Sequence, residues 1–184
     1  MFTYPFEIIK ARLQTVVTEQ RETDWYMNQD SMSDKNASIK TTPAIYIEFL
    51  PVETRDEGQR IQSAETEFNI ILITDCLYDT GSKRLKKDNA RDHMRIFDKI
   101  NQALSGYSAR LSVLPDFVAL ANTVNDQRVF NTITRNGITP PHVPLKAMMK
   151  SVQKFKTMMW DHAAQIAYTT PETPPTLDLT TTLE

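Results

Sequence analysis

"PAIYIEFLP" (43–51) and "EFNIILITDC" (67–76) decide the fold, and fifteen mostly polar residues, "VETRDEGQRIQSAET" (52–66), separate them. A tight hairpin needs only about two to five connecting residues. The first run alternates, with Ala44, Tyr46 and Glu48 on one face and Ile45, Ile47 and Phe49 on the other. It predicts a strand over 44–50. The second run predicts a strand over 68–75 that is apolar on both faces, through Phe68, Ile70 and Leu72 on one side and Ile71 and Ile73 on the other. Such a strand lies inside a sheet with both faces covered. Helices on one face and a partner on the other would cover it. The segment between the two has two readings. It is an ordinary loop, or the strands run outward as a hairpin arm over 51–66, polar on both faces because a neighbouring subunit covers it.

Helices flank this pair. "PFEIIKARLQTVVTEQ" sets Phe6, Ile9, Leu13, Val16 and Val17 on one face at helical spacing, and Pro5 suits a first turn. The spacing predicts a helix over 5–19. "NARDHMRIFDKINQALSG" repeats the pattern with Met94, Phe97, Ile100 and Leu104, with Asp88 or Asn89 able to cap it and Gly106 just past its end. The second helix is expected over 89–104. The stretch 21–42 is polar and irregular and reads as a long loop, pinned to the body by Trp25 and Tyr26.

The remainder reads as β-structure. "RVFNTITRN" (128–136) and "SVQKFKTMMWD" (151–161) both alternate, the second with Val152, Lys154 and Lys156 on one face and Phe155, Thr157 and Met159 on the other. Asn136-Gly137 reads as a turn, and the proline-rich "ITPPHVP" after it as a loop. "LKAMMK" (145–150) reads equally as a helical turn or as part of the last strand. The Thr/Pro-rich end, 169–184, has no pattern that buries a core. The expected class is α+β: a mainly antiparallel sheet, an N-terminal and a central helix on one face, and an extended hairpin arm. One domain is expected over 1–168, with 169–184 as a tail.

Composition narrows the function classes. The 184 residues are 40% apolar and carry a formal net charge of −2, which is not the basic balance of an overall nucleic-acid binder. No apolar run reaches the roughly 18–20 residues needed to span a bilayer. The opening, "MFTYPFEIIKARLQ", lacks a basic stretch followed by an apolar one and is expected to be a mature N-terminus made in a reducing cytoplasm. The single Cys76 lies in an apolar run and reads as a small buried hydrophobe. Four glycines form neither a dinucleotide fingerprint nor a phosphate loop. His93, His142 and His162 show no metal-ligand spacing, and the adjacent pairs Asp92-His93 and Asp161-His162 point different ways, so they read as surface residues. No serine stands in a nucleophile elbow. The expectation is a protein without catalytic, cofactor or metal sites. Charged stretches remain as contact candidates: Glu53, Arg55, Glu57, Arg60 and Glu65 in the arm, and the basic run Lys83, Arg84, Lys86 and Lys87. That run reads as a solvated loop or subunit contact, or as a phosphate-binding loop of a small nucleic-acid-binding module.

In its organisation the chain resembles the tail-terminator (tail-completion) and head–tail joining proteins of bacteriophages. The likeness rests on "TTPAIYIEFLP" after the first helix, "ETRDEGQRIQSAETEFNIILIT", the helix end "IFDKINQALSG" and the closing "VQKFKTMMWDHAAQ". The resemblance implies a structural role in the virion: a ring, commonly of six subunits, that stops tube growth and joins tail to head while DNA passes through its lumen. Implied partners are further copies of itself, adjacent portal, connector or tail-tube proteins, and DNA in transit, with no membrane. The implied location is the head–tail junction, after assembly in the host cytoplasm. The chain departs from the pattern in its long 21–42 loop, its long 107–143 region and its Thr/Pro tail. With those additions a twelve-fold ring beneath a portal is the other arrangement.

Overall fold

The computed structural model describes residues 2–28, 41–58, 61–75, 87–113, 128–142 and 148–161. In chain order these form α1 (Thr3–Val16), β1 (Glu22–Trp25), β2 (Ala44–Phe49), β3 (Arg55–Gly58), β4 (Ile61–Asp75), α2 (Lys87–Leu104), β5 (Ala109–Arg110), a 3-10 turn (Leu111–Val113), β6 (Arg128–Phe130), β7 (Thr134–His142) and β8 (Met148–Asp161). The described strands form one sheet in the order β1-β2-β4-β8-β6-β5, with β3 also on β4 and β7 also on β8. All pairings are antiparallel except β1 on β2. The α+β class stands.

The length of β4 explains the fifteen polar residues. β4 pairs with the full length of β8, from Gln62 opposite Asp161 to Asp75 opposite Met148. On its other side β2 covers only Phe68 to Ile73. The chain leaves that ladder after Leu50, whose N–H donates to the Glu67 carbonyl at 3.0 Å. It returns to the same edge as β3, with Arg55 opposite Ser63 and Gly58 opposite Ile61. So 52–66 holds a strand, a turn and the first part of β4. A hairpin is present there rather than an ordinary loop, and its two halves differ. Ser63, Ala64 and Thr66 are buried against β8, so the β4 half of the arm belongs to the body. β3 alone is exposed at every residue.

The helices cover one face of the sheet. Phe6, Ile9 and Leu13 of α1 are buried as expected, with Ile8 beside them. They meet Ile45, Ile47, Phe68, Ile70 and Leu72 from the sheet. The rings of Phe68 and Phe155, on adjacent strands, stack with centroids 5.5 Å apart. On α2 the buried face is Ile96, Phe97, Ile100, Ala103 and Leu104, while Met94 is 42% exposed. Met94 therefore lies off the face that its spacing suggested. Arg12 Nε of α1 donates to the Ala103 carbonyl of α2 at 3.1 Å, and Lys99 of α2 bonds Glu19, in the turn after α1, at 2.5 Å.

Four expectations change. The 21–42 segment contains β1, parallel to β2, and Trp25 on it stacks on Phe6 at 4.4 Å. The opposite face of β4 is covered from within the chain: Ile71 and Ile73 are 2% and 1% exposed, clustered with Ala44 and Tyr46 and packed by Tyr26, Met148 and Val152. The 128–136 run is two strands, β6 and β7, separated at 131–133. β7 then continues through Asn136-Gly137 and both prolines, with register shifts at 135–137 and 139–142. An edge strand tolerates proline because the missing N–H would face away from the ladder, and the extra residues bulge outward. β8 starts at Met148, so the end of "LKAMMK" is strand. Cys76, His162 and the tail lie outside the described residues.

Candidate interaction surface

The only buried histidine among the described residues is the first place to look for chemistry. His93 is fully buried, which corrects its reading as a surface residue. It sits on the inner face of α2, where its Nδ1 lies 2.8 Å from Thr74 Oγ1 on β4 and its Nε2 lies 2.9 Å from Ser151 Oγ on β8. One ring nitrogen donates and the other accepts, each to a hydroxyl that does the converse. Burial lowers the pKa of the ring from 6.5 to about 4, so it is neutral at physiological pH. A Ser–His contact of this length resembles an activated nucleophile. Here Ser151 is also fully buried, and the second nitrogen meets Thr74 where a catalytic pair would have a carboxylate. The network joins the central strands to α2. A cleft of roughly 190 Å³ opens beside it, lined by Thr42, Thr74, Asp75, Asn89 and Asp92 among others. No cluster of three metal-ligating side chains occurs among the described residues.

The charged candidates are arranged differently. Glu53 lies exposed in the connection before β3, and Arg55 and Glu57 are exposed on β3. The Glu57 carboxylate accepts from Ser63 Oγ across the hairpin. The Asp56 carboxylate accepts the Gly58 N–H at 2.8 Å and so closes the turn, where Gly58 has φ 77°. Glu65, 70% exposed, lies 3.9 Å from Lys156 of β8. The fold thus gathers Arg55, Glu57 and Glu65 at one end of the sheet. Arg60, Lys83, Arg84 and Lys86 lie outside the described residues, and Lys87 is the first residue of α2.

No protein-family model matches the chain, and no curated protein does. Among solved structures, a chain in the "Virion of native gene transfer agent (GTA) particle" is 11% identical, with 83% of this chain and 92% of that chain covered, at a TM-score of 0.44. A superposition of that quality carries no argument about what this chain does.

Reading from single motifs missed the other side of the sheet. Residues 128–160 contain no acidic side chain, and Arg128, Arg135, Lys154 and Lys156 are exposed there. Lys154 and Lys156 stand on the face of β8 turned away from the helices, beside Asn69 and Glu67 of β4. Arg135 and Ile138, the latter 54% exposed, stand on β7, whose one strand neighbour among the described residues is β8. The signal was present as a count of charges along 33 residues rather than as a motif.

Proposed function

We propose that the chain is a structural component of a virion: a subunit of a ring at the head–tail junction, a tail terminator or connector that joins tail to head and lets DNA pass. The observation that carries this reading is β3. It is a strand with four exposed residues, held in register by β4 and by the Asp56 turn, and it contributes nothing to the core. An ordered, exposed and charged strand is available to a surface outside the subunit, by strand addition and charge pairing. The order of helix, strands with a hairpin, helix and closing strands supports the reading. Near-neutral overall charge suits a lumen through which DNA slides, since a strongly basic lumen would hold phosphates. In this reading the neighbours are copies of the chain, six or twelve to a ring, and the portal, connector or tail-tube proteins above and below it.

The test is the mass of the purified full chain by light scattering across a concentration series, followed by negative-stain imaging. Closed rings that form on concentration, with class averages of fixed symmetry, are the expected result. A monomer at every concentration that instead binds duplex DNA with a steep salt dependence would overturn it in favour of a nucleic-acid-binding module.

A further inference from the structure

Two of the strands that pair on one side only among the described residues, β3 and β7, lie in segments of opposite charge. On one side β4 bears β3, which has no second strand neighbour among the described residues. The segment 53–67 around it holds five acidic and two basic residues, a net charge of −3. On the other side β8 bears β7, which likewise has one strand neighbour among the described residues. The segment 128–161 holds six basic residues and one acidic, Asp161, a net charge of +5 with histidine neutral. β4 and β8 lie between the two edges, so a single copy cannot bring β3 against its own β7.

Both edges have room for a short ladder. β3 spans four residues, and β7 offers 134–139 before Pro140 and Pro141 remove their donors. Glu53 makes no ion pair among the described residues, and neither does Arg135 or Lys154. Charge and proline on an edge strand usually prevent pairing between chains. Here they disfavour like edges: β3 against β3 sets a net acidic strand on itself, with Arg55 its one basic residue, and β7 against β7 sets Arg135 and the two prolines on their own copies. The unlike pair remains favourable.

We propose that β3 of one copy adds to the β7 edge of a second copy, head to tail, with Glu53 and Glu57 facing the Arg135 and Lys154 side of the acceptor. The contact is heterologous: each copy uses one edge as donor and the other as acceptor, so the arrangement closes into a ring or runs on as a filament. The sheet then continues across the boundary with hydrogen bonds supplying affinity and charge supplying partner choice. This rests on the reading that the chain self-associates and assigns the two surfaces that do it.

Charge reversal of the full-length chain tests it. Glu53→Lys with Glu57→Lys reverses the donor, and Arg135→Glu with Lys154→Glu reverses the acceptor. All four positions are exposed, and circular dichroism confirms that each variant is folded. Each reversed chain alone is expected to need at least about tenfold more protein for half-association by light scattering. The chain carrying all four changes restores opposite charges and is expected to regain association. If wild-type protein assembles and the single-edge reversals assemble equally well, this inference falls while the ring reading stands. If the fourfold chain is folded yet stays dissociated like the two partial variants, the inference falls as well. If wild-type protein is monomeric throughout and Arg135→Glu with Lys154→Glu abolishes duplex DNA binding, the basic edge serves nucleic acid and both readings fall.

Discussion

His93 shows how burial sets the role of a side chain. Its ring is enclosed between α2, β4 and β8, and both nitrogens are used by hydroxyls. The folded pKa of about 4 lies below the ordinary 6.5, so the neutral ring is the form the fold selects. A depressed pKa means that the contribution is complete above the unfolded value and is lost as pH falls towards the folded one. Stability should therefore fall by on the order of 3 kcal/mol between about pH 6.5 and pH 4. Denaturant unfolding of wild type and His93→Gln at several pH values checks this. The variant should be less stable at pH 7.5, and its curve should lack the histidine step. A second residue-scale expectation concerns Phe155, which is fully buried and stacked on Phe68. Phe155→Ala should cost about 3–5 kcal/mol, read as a shift in denaturation midpoint without change of slope.

At the scale of elements, the turn after β3 and the prolines of β7 set what the edges can do. Gly58 has φ 77° and a side chain there would meet no atom within 4 Å, so its substitution is resisted by backbone conformation alone. Gly58→Ala should cost about 1 kcal/mol and loosen the β3 hairpin, which faster amide exchange at Arg55 to Glu57 would report. Pro140→Thr with Pro141→Val would give β7 an unbroken row of donors. Aggregation measured by turbidity should then rise at concentrations where wild type is clear. The contact between α2 and the turn after α1 is an element-scale tie of a different kind. The Lys99 hydrogen bond holds the Glu19 carboxyl below its ordinary range, against the opposing effect of burial. Its contribution is present above the ordinary carboxylate pKa and fades as pH drops through the lowered one.

At the scale of the whole molecule, the sheet separates its charges into an acidic side at β3 and a basic side at β7 and β8 while the net charge stays at −2. Association between opposite edges should weaken with ionic strength. Raising salt from roughly 0.05 M to 0.5 M shortens the Debye length from about 14 Å to about 4 Å. Light scattering at fixed protein concentration should show smaller assemblies at the higher salt. An assembly held by apolar contact would keep or gain mass instead.

Periodicity alone determined α1, α2, β2, β8 and the central position of β4, because those residues bury one or both faces and their spacing follows local geometry. The α+β class followed from their order. Tertiary structure alone decided the rest. β1 is a short polar strand that exists because β2 offers it a parallel edge. β7 passes through two prolines because only an edge strand permits it. His93 became a core residue because Thr74 and Ser151, far from it in the chain, arrive beside its ring. The face of α2 lies one step away from Met94, a difference that period counting does not resolve. The two charged edges are visible in the sequence as numbers. That they lie on opposite sides of β4 and β8 depends on pairings between residues about ninety positions apart, which local pattern does not encode.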